Sequence, residues 1–172
     1  MYRWRMRNLI VALLIMGGIN LAAADPTADR SPPILPNPVM TPGDTLPAGL
    51  DKICSVGYTK TVRHVSQSKK DHVYELYGIT RISGQFEVDH LISLELGGSN
   101  SMRNLWPQAY FTETWNARVK DVLEHHLNRM VCDGKISLEE AQKAIATDWI
   151  AAYCKYDNKL PASCATYMEK VK

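Results

Sequence analysis

Four cysteines, Cys54, Cys132, Cys154 and Cys164, set the first limit on how this chain folds. All four follow an N-terminal stretch with the three-part pattern of a secretory signal. Arg3, Arg5 and Arg7 open it, Leu9 to Met16 is an unbroken apolar run, and Ala22-Ala23-Ala24 closes it with small residues. The run is shorter than the ~20 residues that span a bilayer. The expectation is a signal peptide over residues 1–24, cut after Ala24, and no membrane attachment once it is gone. An even cysteine count in an exported chain then implies two disulfides. Three pairings are open. The preferred one closes a short C-terminal loop with Cys154 and Cys164 and ties the early segment to the later one through Cys54 and Cys132. A zinc site competes for the same thiols, but no C-x-x-C pair gives the usual ligand spacing.

Seven of the nine prolines fall within residues 25–50. Proline removes a backbone donor and blocks regular pairing, so this segment is expected to be an extended, mobile leader. The folded domain is then residues 51–172. With 45% hydrophobic and 22% charged residues, the full sequence has the composition of a chain that buries a core and not of a disordered one. Loss of Arg3, Arg5 and Arg7 moves the formal charge from +2 to −1. The mature protein is no polycation, so nucleic-acid binding requires a local site. Residues 52–81 supply one locally basic region, including Arg63, Lys69, Lys70 and Arg81.

Along the domain, the β-branched residues of 56–65 suggest a short strand. Residues 68–77 read as a short helix ended by Gly78. Phe86 to Ile92 reads as a strand, Gly97-Gly98 with Asn100 as a turn, and Leu105-Trp106 as a return strand stopped by Pro107. A helix capped at Thr112 or Thr114 is expected to reach Val131. Ser137-Leu138-Glu139-Glu140 is a capping-box pattern that opens a second helix to about Tyr153. The fold class is α+β.

The chemistry-bearing stretch is residues 87–108, EVDHLISLELGGSNSMRNLWPQ, with the helix after it. Asp89-His90 stands near a strand end, Asn104 fourteen residues beyond His90, and Asn116 twelve further on. Histidine titrates near ~6.5 and can take a proton from water at neutral pH. Aspartate and asparagine offer hard oxygens suited to a divalent ion. On a helical wheel Asn116 lies at the margin of the apolar face, with Lys120 about 40° round from it, while His125 falls on the opposite side and is set aside as a ligand. Adjacent strand residues point to opposite faces, so a pocket shared by Asp89 and His90 requires a strand end or a bulge.

The ordered set Asp89-His90, Gly97-Gly98, Asn100, Asn104-Leu105, Asn116 and Lys120 resembles the HNH endonucleases, in the variant with asparagine in place of the third histidine. The resemblance covers residues 85–130, about a quarter of the chain. It implies a ββα-metal core over that range and hydrolysis of phosphodiester bonds. It assigns His90 as general base, Asn104 as the residue that sets it, and Asp89 and Asn116 as ligands to one divalent ion, Mg²⁺ first, with Mn²⁺, Ni²⁺ or Zn²⁺ as alternatives. Lys120, Arg118 and Arg63 are the candidates to grip the phosphate. The expected partner is nucleic acid, DNA before RNA, cut with low sequence specificity in the periplasm or outside the cell. A non-catalytic disulfide-stapled binding domain and another exported metallohydrolase are the competing classes.

Overall fold

A computed structural model describes residues 34–172. The expected signal segment and the first part of the proline-rich segment lie outside the described residues. The remainder is a mixed α/β domain of six helices, one two-stranded sheet and two disulfides. Three helices come first: α1 (Leu50–Ile53), α2 (Tyr58–Val62) and α3 (Gln67–Leu76). The strands β1 (Phe86–His90) and β2 (Leu105–Ala109) follow, and then α4 (Ala117–Cys132), α5 (Leu138–Tyr156) and α6 (Pro161–Lys170). Short 3-10 turns at Leu94–Leu96 and Met102–Asn104 lie within the β1–β2 connection.

The two strands are antiparallel, with His90 opposite Leu105, Asp89 opposite Trp106 and Val88 opposite Pro107. Pairing runs without interruption, so the strand-end solution holds at His90 and the bulge does not. Pro107 does not stop β2, which continues to Ala109. A proline lacks a donor, but an edge position in a two-stranded sheet does not require one. Residues 56–65 are not a strand. Val56 is exposed and Tyr58–Val62 forms α2. Their β-branched side chains have no third strand to pair with, and tertiary context overrides propensity.

Helix α4 buries Ala117, Lys120, Leu123, Leu127 and Val131 along one stripe. Leu123, Leu127 and Val131 meet Ala141, Ile145, Trp149, Ile150 and Tyr153 of α5 in the main core, with Ile92 and Leu96 from the strand connection. Each fully buried leucine contributes on the order of 1.5–3 kcal/mol. Trp115 sits edge-on against Trp149, Tyr153 and Tyr167, with ring centroids 5.7–6.2 Å apart. Ser137 caps α5 by accepting from the Glu140 amide, as the capping pattern predicts. The helix is interrupted at Asp148, whose extended backbone breaks the ladder. The Asp148 carboxylate then accepts from the Ile150 and Ala151 amides, and Tyr167 donates to its other oxygen.

Both preferred disulfides are present. Cys54–Cys132 joins the end of α1 to the end of α4, and Cys154–Cys164 joins α5 to α6. They fit an extracellular or periplasmic protein. No helix among the described residues is long and apolar enough to cross a membrane.

The proline-rich segment is not a loose leader over its described part. Thr41 is buried, and its hydroxyl donates to the Leu105 carbonyl at 2.9 Å. The Gly43 amide donates to Arg103 O and the Leu46 amide to Gly97 O, and Thr45 bridges Gly98. Proline removes only its own donor. Thr41, Gly43 and Leu46 stand between Pro38, Pro42 and Pro47 and keep theirs. The folded unit therefore begins before Leu50, with residues near Asn37, and this segment lies across the connection that carries the candidate site.

Candidate active site

His90 ends β1 and is 4% exposed. Its Nε2 lies 3.0 Å from Asn100 Oδ1. The other end of that amide, Nδ2, donates to the Val62 carbonyl at 2.7 Å. A carbonyl can only accept, so the Asn100 oxygen faces the histidine and Nε2 carries the ring proton. Nδ1 then keeps the lone pair. Burial pushes the imidazole below its usual value. The Asn100 bond and Asp89 oppose this, while Arg63 and Lys120 reinforce it. His90 is therefore neutral at neutral pH.

This arrangement corrects the assignment of Asn104 as the residue that sets the base. Asn100 does so, and Asn104 staples the connection instead. The Asn104 side chain is fully buried. It accepts from the Ile92 amide at 2.9 Å and donates to the Ile92 and Ser99 carbonyls, each at 2.9 Å. Gly98 makes room for it: a Cβ there would stand 1.8 Å from the Ile92 carbonyl oxygen and 2.9 Å from Asn104 Nδ2. Asn104→Ala leaves three buried backbone groups unpaired and is expected to cost about 2–3 kcal/mol, read by urea denaturation. A loss below the resolution of that measurement contradicts the staple.

Asp89 points to a different partner. Its Oδ2 accepts from Lys120 Nζ at 2.7 Å. The same ammonium donates to the His90 carbonyl at 2.7 Å and to Glu124 Oε1. Lys120 has no exposed side-chain surface, and Asp89 and Glu124 keep 17% and 13%. Burial alone would depress the ammonium, but Asp89 and Glu124 outweigh it and raise it well above its usual range. Further acids crowd this side. Burial and then the charge of Asp89 push up both Glu87 and Asp121, while a hydrogen bond from the Tyr110 hydroxyl holds Glu87 down in part.

Lys120 therefore cannot grip a phosphate, contrary to the expectation from sequence: all three of its protons are used inside the protein. Arg118 lies on the exposed side of α4, over the Phe111 ring at 5.5 Å. Two residues from Lys120, it faces away from it. Arg63 is the third expected phosphate contact. It is exposed, it follows Val62 at the end of α2, and its charge acts on His90.

The expected metal ligands do not form a metal site as they stand. Asn116 is the N-cap of α4: its Oδ1 accepts from the Val119 amide, and its Nδ2 donates to the Thr112 carbonyl. Both ends of the amide are used, and Asp89 already faces a cation. Among the described residues no group of three or more His, Cys, Asp or Glu side chains converges in a way that could hold an ion.

Two residues of the site were missed by sequence reasoning. Asn100 read only as a turn former, and nothing in a linear ten-residue spacing shows that it returns to His90. Glu124 carried a usable signal. It stands four residues after Lys120, a spacing that places the two side chains together on a helix.

Comparison with protein-family models, with curated proteins and with solved structures finds no match for this chain.

Proposed function

We propose that this chain hydrolyses phosphodiester bonds of nucleic acid, with His90 as general base. The observation that carries the reading is the buried, neutral His90 imidazole, held in one tautomer by Asn100 and within the electrostatic reach of the exposed Arg63. The strand order supports it: an antiparallel hairpin followed by a helix, with Asp89-His90 ending the first strand and Asn104 fastening the connection, resembles the HNH endonucleases. In the reaction, a water passes a proton to Nδ1 of His90, and its oxygen bonds to phosphorus. The P–O bond to one sugar breaks, and the leaving oxygen takes a proton from solvent. Arg63 offsets the phosphate charge. The site has no element that reads base edges, so contacts go to the backbone and sequence specificity is low. DNA is the first substrate, with RNA second.

The test is nicking of supercoiled plasmid by the mature protein, with Mg²⁺ or Mn²⁺ and with chelator. His90→Ala is expected to lose at least about 100-fold in rate. Because burial keeps the ring unprotonated, the acid limb of the wild-type pH–rate profile is expected below ~6.5, the value of a free histidine. Unchanged nicking by the variant removes His90 from the mechanism. A second reading, a binding domain without catalysis, is favoured by one observation: Lys120 and both ends of the Asn116 amide are already engaged inside the protein, which leaves neither free to act on a scissile phosphate. Saturable DNA binding with no nicking in any condition selects it.

A further inference from the structure

We propose that the Lys120 ammonium takes the place of a divalent ion in this hairpin-and-helix core, so that the wild-type site binds no such ion. Three oxygens converge on Nζ from three places in the chain. They are the Asp89 side chain on β1, the main-chain carbonyl of His90, and the Glu124 side chain one turn further along α4. A set of two carboxylates and one carbonyl is the hard-oxygen donor set that Mg²⁺, Mn²⁺ or Ca²⁺ prefers. Here it is satisfied by three N–H donors on a point charge, and that charge is sealed from solvent.

The position matters as much as the donors. Nζ is bonded to the acid immediately before His90 and to the carbonyl of His90 itself. A cation at that point fixes the main chain that carries the base. Lys120 does this with no open coordination position, so it cannot hold a substrate oxygen. It is a positioning residue, and the charge that meets the phosphate must come from elsewhere, with Arg63, exposed and acting by its charge on His90, the candidate. Asn116, the other expected ligand, is already engaged in the helix cap. An entering ion would have to displace the ammonium from two carboxylates and push its four-carbon stem out of the core.

The activity arm of the test rests on the hydrolase reading above, and the ion-binding arm does not. Wild-type protein titrated with Mn²⁺ is expected to show no saturable binding by calorimetry and no change in melting temperature. Its plasmid nicking is expected to run at the same rate in Mg²⁺ and in chelator. Lys120→Ala removes the ammonium and leaves its three oxygens in place around a vacated stem. In that variant Mn²⁺ at about 100 times its dissociation constant is expected to raise the melting temperature by roughly 5 °C or more. Lys120→Ser is a second variant with the same expectation. Stoichiometric Mn²⁺ binding by the wild type, or nicking abolished by chelator and restored by Mg²⁺, overturns the proposal. If both variants fail to fold, with or without Mn²⁺, the wild-type titration alone decides it. Absence of nicking in every condition overturns the hydrolase reading, and the Mn²⁺ titration still decides whether Lys120 excludes the ion.

Discussion

Lys120→Met is expected to destabilise the protein by about 3–5 kcal/mol in urea denaturation at neutral pH. The two side chains have nearly the same length, so the packing lost is small and the electrostatics dominate. Wild-type Lys120 gives one proton each to Asp89, Glu124 and the His90 carbonyl. The methionine leaves two carboxylates and a carbonyl buried without donors, and an unpaired buried charge costs far more than the intact pair contributes. The dependence on pH separates this cause from a packing defect. Burial raises Glu124 above its ordinary value, with the ammonium pulling the other way. Without the ammonium it rises further. A carboxyl raised on folding contributes its stability in full below its unfolded pKa and loses it as pH rises through the folded one. The deficit of Lys120→Met relative to wild type is therefore expected to be smaller near about pH 5 than near about pH 9. A deficit independent of pH assigns the loss to packing instead.

The same lysine shows where the sequence was legible. The wheel for α4 put Lys120 on the inward side with Leu123 and Leu127, and the side chain is buried there. Periodicity does not say what a buried cation faces, because two of its three partners, Asp89 and His90, come from β1, 31 and 30 residues away in sequence. The capping box at Ser137, the strand starting at Phe86 (expected to Ile92, observed to His90) and the turn at Gly97-Gly98 were readable because each depends on neighbours within a few residues. The failures have two sources, one at a helix boundary and one in long-range contacts. Asn116 read as a ligand, with a helix cap as the rival reading, because its amide lies at the edge of an apolar face. The cap that consumes it depends on where the helix starts, and boundaries are the least certain part of a sequence reading. The described prolines read as a loose leader because proline content is a local property. The amides between them find their acceptors in the loop that Asn104 staples, a feature visible only once the hairpin has closed.

Replacing Cys54 and Cys132 together by serine is expected to cost about 4–5 kcal/mol, the larger loss of the two disulfides. The link spans 78 residues, so its removal returns more entropy to the unfolded chain than removal of Cys154–Cys164, which spans 10 and is expected to cost about 3 kcal/mol. The position of the longer link adds a functional difference. Cys54 directly follows α1, whose Ile53 is buried against Gly97. Helix α2 comes next and supplies the Val62 carbonyl that orients Asn100, and through it His90. Arg63 follows on the same segment. The disulfide thus anchors to α4 the short segment that holds both the carbonyl orienting Asn100 and Arg63, the proposed phosphate contact. Cys54→Ser/Cys132→Ser is expected to lose nicking activity at temperatures where circular dichroism still reports folded helices. Cys154→Ser/Cys164→Ser is expected to lose activity only as it unfolds, because α6 packs on the far end of α5. Parallel loss of activity and helix in both variants would show that the first disulfide holds the fold without holding the site.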